Sequence, residues 1–221
     1  MPEEFQKNRR LTVSASFDRL SRMLEKKCKP MAVKYDVSPR VKMIQDWIAR
    51  LPEKTGKSLE QWVALTKKSG PKDIAARRDW LKKEHGMGTY SAGWIAERAG
   101  GKGAEEDSPA IYLKTAVKYV DAMYSGKKEH LRPLHDALLK LGKSMGTDVR
   151  VCPCQTIIPL YRNHVFAQIK PATNSRVDFG LALGDTKASG KMIDTGGFAK
   201  KDRITHRFEV TSLSDITPEL K

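Results

Sequence analysis

The sequence predicts an α+β protein: a small all-helical N-terminal domain built around a tight helical hairpin, a linker, and a C-terminal antiparallel sheet covered by helices. Three observations carry this. Apolar residues recur at helical spacing from residue 38 to about residue 142. Beyond residue 147 the period changes to two, which is the signature of half-buried strands. Between those strands, Asn163 and the stretch from Pro171 to Ser175 supply turn chemistry, so the strands connect directly and run antiparallel. The expected division is a basic arm over residues 1–37, a helical domain over 38–100, a linker over 101–109 and an α+β domain over 110–221.

The elements follow in order. The arm carries one short helix with Phe17, Leu20, Leu24 and Cys28 on one face. Ser38-Pro39 pairs an N-cap with a proline at the first helical position, and Val41, Ile44, Ile48 and Leu51 follow at helical spacing. Residues 52–57 read as a turn. Ser58 and Gln61 form a capping-box pattern ahead of Leu59, Trp62, Val63 and Leu65. Gly70-Pro71 stops that helix, and the next carries Ile74, Trp80 and Leu81. Gly86 ends it, and a fourth helix runs from about Thr89 to Ala99. Trp47, Trp62, Trp80 and Trp94 are the expected core of this half, since few other large apolar residues can fill it.

Residues 100–107, GGKGAEED, have linker composition. Ser108-Pro109 repeats the cap-and-proline signal before a helix carrying Ile111, Leu113, Ala116, Val117 and Val120, which stops near Gly126. Another helix holds Leu131, Leu134, Leu138, Leu139 and Leu141 and ends at Gly142 or Gly146. Strands are expected at Val149 and Val151, then over 156–161, 165–169, 177–183 and 204–210, with a long connection from Gly184 to Gly197. Ser214 to Lys221 reads as the start of a final helix of scarcely two turns.

The chemistry of the chain is concentrated in Leu81 to Ile95, LKKEHGMGTYSAGWI. Gly86 and Gly88 flank Met87, and Ala92 follows four positions after the second glycine. This spacing resembles the helix-hairpin-helix element of many DNA-repair and recombination proteins, although His85 stands where such elements often have proline or an apolar residue. The resemblance implies contact with a nucleic-acid backbone. Glycines allow φ > 0 and close approach of a phosphate, and a helix starting near Thr89 would aim unpaired N–H groups at an anion. Gly86, Met87, Gly88 and Thr89 are the candidate backbone donors, and Lys82 and Lys83 the candidate flanking charges. The plainer alternative makes Gly86 a helix terminator and Thr89 a cap, with the turn only connecting two helices.

Charge points the same way. The net charge is +15, with +6 in residues 1–50 (12 basic, 6 acidic), +4 in 51–100 (10 basic, 6 acidic) and +5 in the rest. Such an excess attracts polyanions, or merely solvates a surface. A second basic candidate is Lys200, Lys201 and Arg203 with His206, entering a strand after the glycine-rich connection; Arg162, Lys170 and Arg176 could extend it. Phe166, Phe179 and Phe208 are either stacking platforms on an open sheet or core, and alternation assigns at least two of them to the core.

Other chemistry is thinner. Cys28, Cys152 and Cys154 form no disulfide framework and no paired zinc spacing, so neither metal nor cofactor is expected. A reducing cytoplasm is the expected compartment, since no apolar run spans a bilayer and the N-terminus, with Glu3 and Glu4, lacks the apolar core of a secretory signal. Gln168-Ile-Lys170 is similar to the carboxylate-x-lysine half of metal-dependent nuclease sites, with Asp148 or Asp178 as the acidic partner. Glutamine is a poor ligand for a hard cation, so activity as an enzyme is not the leading expectation.

Longer segments resemble two bacterial families. I44-Q-D-W-I-A-R-L-P-E-K-T-G56, S58-L-E-Q-W-V63 and W80-L-K-K-E-H-G-M-G88 look like domain of unknown function 4287, over about residues 38–99. L131-R-P-L-H-D-A-L-L139, F166-A-Q-I-K-P-A172, R176-V-D-F-G-L181 and D202-R-I-T-H206 look like domain of unknown function 5655, over about 129–220. Neither brings catalytic residues. The expected function is sequence-independent binding of DNA or structured RNA; the alternatives are a non-enzymatic module for a ligand or a protein partner, and a metal-dependent nuclease.

Overall fold

The computed structural model describes residues 35–217 and Leu220. The basic arm up to Lys34, including its Phe17–Cys28 face, lies outside the described residues. Four helices come first: α1 (Pro39–Thr55), α2 (Leu59–Ser69), α3 (Ile74–His85) and α4 (Thr89–Ala99). The Ser38 hydroxyl caps α1 by accepting the Arg40 N–H at 3.3 Å. The capping box of α2 is closed in both directions: the Gln61 N–H donates to Ser58 Oγ at 3.3 Å, and the Ser58 N–H donates to Gln61 Oε1 at 2.8 Å. Asp73 caps α3 through a single bond, its carboxylate accepting the Ala76 N–H at 2.9 Å.

The turn expected over residues 52–57 starts later, because Pro52 is still inside α1. The helix runs through Pro52 to Thr55 and stops at Gly56, which is left-handed at φ +74°. The Thr55 hydroxyl donates to the Leu51 carbonyl at 2.7 Å and accepts the Trp62 Nε1–H at 2.7 Å, while the Gly56 N–H reaches the Pro52 carbonyl at 2.8 Å. These bonds satisfy the terminal carbonyls and offset the one bond that proline forgoes.

Leu51, Leu59, Trp62, Leu81, Met87 and Ile95 form the centre of the helical core. The tryptophans divide. Trp62 is buried, whereas Trp47, Trp80 and Trp94 are only partly buried, Trp47 and Trp80 packing against the rim of the core. An indole N–H needs a partner, and Trp47 finds one at the surface side of the core, donating to Ser91 Oγ at 2.9 Å.

The segment from Gly101 to Ser108 is tied to the helices by ion pairs of Arg98 with Asp107 and Arg40 with Glu106. Ser108 then caps α5 (Pro109–Met123), a 3₁₀ turn covers Gly126–Leu131, and α6 spans Arg132–Ser144. The sheet comprises β1 (Arg150–Val151), β2 (Ile158–Tyr161), β3 (Val165–Lys170), β4 (Val177–Leu181), β5 (Ile193–Asp194) and β6 (His206–Val210). Its order is β1-β2-β3-β4-β6-β5, antiparallel throughout. The short β5 falls inside the connection expected to be irregular. Both of its residues are exposed, so it has no buried face to leave a pattern.

Register sorts the two faces. Ile158 opposes Ile169, Ile169 opposes Phe179, and Phe179 opposes Phe208, so one face is apolar. Helix α6 packs on it so closely that a Cβ on Gly142 would collide with Leu160 Cδ2. Gln168, Lys170, Asp178, Gly180, Arg207 and Glu209 alternate onto the other face. After β6 a 3₁₀ turn spans Leu213–Asp215 at the start of the expected helix, and Ile216 and Thr217 are not helical. Asp215 accepts the Thr211 and Ser212 N–H groups at 3.0 Å each, and Thr217 precedes a proline, which steers it away from helical geometry. Pro218, Glu219 and Lys221 lie outside the described residues.

Two outcomes follow from this packing. Gly142→Ala should lower stability by about 1–3 kcal/mol despite alanine's better helix propensity, because Leu160 is fully buried and cannot retreat. Thermal unfolding of the variant checks this. His135 of α6 is fully buried beside Tyr124, its Nδ1 is 2.8 Å from Asp136 Oδ1, and Nε2 has no partner among the described residues. Burial pushes its pKa below the ordinary histidine value, the Asp136 contact opposing this in part. The unfolded chain therefore takes up the proton first. The stabilisation is complete above about pH 6.5 and is lost as pH falls from there toward the folded-state pKa. His135→Leu should flatten the decline of the urea midpoint over that window.

Candidate nucleic-acid interface

The hairpin is organised by the side chain between its glycines. Met87 is buried in the core beside Leu81 and Trp62, which pins the turn and leaves Gly86 and Gly88 exposed on either side. Gly86 ends α3 in a left-handed conformation, φ +60°, and its N–H and that of Met87 both turn back to the Leu81 carbonyl. Those two expected donors are thus consumed within the turn. Met87 serves the site as an anchor, not as a contact for an anion.

Helix α4 supplies the open donors instead. Gly88 is its N-cap, at φ −63° and ψ 149°, and offers no side chain to cap the helix. The first bond closing the helix is the Ala92 N–H to the Gly88 carbonyl at 2.9 Å. The N–H groups of Thr89, Tyr90 and Ser91 have no acceptor among the described residues, and Thr89 and Tyr90 are exposed. Nothing in the backbone requires glycine at position 88: its φ suits any residue, and a Cβ there would meet no atom within 4 Å.

These amides open beside a cleft of about 820 Å³ between α1 and the hairpin. Lys42, Arg50 and Lys54 of α1 line it together with His85, Gly86 and Gly88. Asp46 is the counter-charge on that wall, and it is engaged by Lys42 at 3.2 Å. Arg50 and Lys54 have no ion-pair partner among the described residues. Trp47 and Trp62 supply aromatic wall, and His85 meets the Trp62 and Trp80 rings edge-on at 5.2 and 4.6 Å. Lys82 and Lys83 project from the last turn of α3, exposed, where they also complement the negative pole of that helix. Residues 42, 46, 50 and 54 recur every fourth position. That stripe was the available signal for a charged wall, and apolar periodicity alone overlooks it.

The second basic candidate does not join this cleft, whose lining includes no residue beyond Ser91. Lys200, Lys201 and Arg203 are exposed on the loop before β6, with Lys201 left-handed at φ +58°. His206 is separate from them. It opposes Leu181 on the apolar face, is 1% exposed, and has Nδ1 2.9 Å from Thr205 Oγ1. Strand alternation turned its side chain inward, so it cannot meet a polyanion. Phe179 and Phe208 are core, and Phe166 is half-buried beneath Arg162.

On the polar face of the sheet, Gln168, Lys170 and Asp178 do converge around a recess of about 400 Å³, with Arg203 and Arg207. Asp178 is held by Arg176 Nε at 2.8 Å and Arg207 at 3.8 Å, and Glu209 is held by the same two guanidinium groups at 2.8 and 3.0 Å. Both carboxylates are thereby neutralised. Asp148 lies elsewhere, 3.3 Å from Arg162. Among the described residues no three histidine, cysteine or carboxylate side chains could share a metal ion. Cys152 is buried and Cys154 half-buried, and burial pushes the Cys152 thiol up to about 12, the reverse of a reactive thiolate. No helix among the described residues is long and apolar enough to cross a membrane.

Two family models match the chain. Residues 43–98 match Domain of unknown function (DUF4287), which takes in the α1 wall and the whole hairpin. Residues 120–221 match Domain of unknown function (DUF5655), which takes in α6 and the sheet. The two matches follow one another in the order that the segment resemblances imply. No curated protein and no solved structure matches it.

The two glycines of the hairpin should respond in opposite ways. Gly86→Ala places a Cβ at φ +60° and should lower stability by roughly 1–2 kcal/mol. Gly88→Asp adds a preferred N-cap in free space and should raise stability by about a few tenths of a kcal/mol. Parallel thermal melts of the two variants check the assignment.

Proposed function

We propose that this protein binds nucleic acid, DNA or structured RNA, through its phosphate backbone and without reading sequence. The observation that carries this is the uncapped α4 N-terminus, whose Thr89, Tyr90 and Ser91 amides have no acceptor among the described residues and which borders, through Gly88 and Ser91, a cleft whose other wall carries Arg50 and Lys54. Such amides and the positive helix pole favour an anion, and the cations of the α1 wall raise its local concentration. The glycine at position 88 fits this reading, since a serine, threonine, aspartate or asparagine there would cap the helix and occupy its amides. Contacts of this kind position a duplex or strand but discriminate little between bases. The exposed Lys200, Lys201 and Arg203 give the second domain a further cationic surface for the same polymer.

The pairing of Asp178 and Glu209 with arginines leaves the polar sheet face poorly suited to binding magnesium. Nuclease chemistry at Gln168, Lys170 and Asp178 would need that network to break.

Binding to labelled DNA should weaken steeply between low and physiological salt, since cation–phosphate contacts release counterions. Lys82→Glu combined with Lys83→Glu should weaken it roughly tenfold or more and flatten the salt slope, and Arg50→Glu should act likewise. Gly88→Asp should lose affinity while keeping or gaining thermal stability, which separates the site from the scaffold. Absence of binding at low salt, or affinity indifferent to all of these changes, would reject the function.

A further inference from the structure

Tyr90 is 79% exposed on the first turn of α4, and packing does not account for an aromatic ring there. It is the outer member of an aromatic row. Its ring centre lies 6.0 Å from that of Trp94 with the planes 38° apart, and Trp94 meets Trp47 edge-on at 4.9 Å. The row is held from behind. Trp47 is fixed by its hydrogen bond to Ser91 and lies under the Arg98 guanidinium at 5.4 Å, and Arg98 is in turn locked to Asp107. Tyr90 thus presents its ring to solvent at the end of this row, beside the cationic cleft that Ser91 and Trp47 line.

We propose that Tyr90 is a stacking platform for an unpaired base, so that this surface takes single-stranded nucleic acid in preference to duplex. The inference rests on the backbone-binding function above and names its substrate class. A duplex hides its base faces within its own stack, and a tyrosine ring beside its phosphates meets only sugar edges. A single strand can turn a base outward at the point where its phosphate is held, and stacking on an aromatic ring is available to every base. The surroundings select this occupant by charge. Lys82, Lys83, Arg50 and Lys54 complement a polyanion, and an acidic peptide would bring the charge without a flat ring for Tyr90 to cover.

The test is fluorescence anisotropy of full-length protein with a labelled mixed-sequence single strand and with its blunt duplex, at low salt, for wild type, Tyr90→Ala and Tyr90→Phe. The wild type is expected to bind the single strand more tightly. Tyr90→Ala should lose roughly tenfold on the single strand and less than about twofold on the duplex, and Tyr90→Phe should restore binding. An unchanged thermal midpoint, expected for so exposed a residue, shows that the scaffold is intact. If the wild type binds both forms equally, or Tyr90→Ala weakens both alike or neither, the stacking assignment is overturned while backbone binding stands. If neither form binds the wild type, both are overturned.

Discussion

The burial of one methionine shapes the part of this protein that faces a partner. A tight turn between two packed helices must leave some backbone groups at the surface, and the only choice is which ones. With Met87 in the core, the residues on either side are forced outward. The donors on the α3 side fold back to Leu81, and those on the α4 side find no acceptor among the described residues. The same anchoring sets the position of α4, hence of Ser91, hence of the Trp47 ring that lines the cleft. A polar residue at position 87 would destabilise the core and, by freeing the turn, disperse the array of amides and cations around it.

Much of the architecture was legible because it is written in local rules. Ser38-Pro39, Ser58 with Gln61, and Ser108-Pro109 act only on the turn that follows them, so their residue types suffice to place three helix starts. The sheet's apolar face was legible because alternation needs no partner to be recognised. What failed depends on contacts made at a distance. Pro52 was read as a breaker, but Thr55 and Trp62 hold the turn around it helical. His206 read as part of a basic cluster because Lys200, Lys201 and Arg203 precede it, yet register opposite Leu181 faces it inward. The two exposed residues of β5 are strand only because β6 is beside them.

The candidate site was legible in one half. Glycine spacing and lysines identify a turn facing outward, since both signals sit within a few residues. The opposite wall comes from α1, more than thirty residues earlier, and only packing brings Arg50 and Lys54 to the hairpin. Tyr90 lies within Leu81 to Ile95 but carries no sequence mark of its exposure, because an aromatic at helical spacing suits a core equally well. Conversely, the convergence of Gln168, Lys170 and Asp178 was foreseeable from alternation, whereas their capture by Arg176 and Arg207 was not.

One small contact bears on how the molecule behaves among its copies. The Asp36 N–H donates to the Val151 carbonyl at 2.8 Å, and the Val151 N–H donates to Asp36 Oδ2 at 2.9 Å. The strand at that border of the sheet is therefore already engaged by the chain's own main chain and by a carboxylate. A neighbouring polypeptide seeking to extend the sheet would have to displace both and strand a negative charge. Lateral growth is left to the opposite border, where two exposed residues offer almost no length to template it.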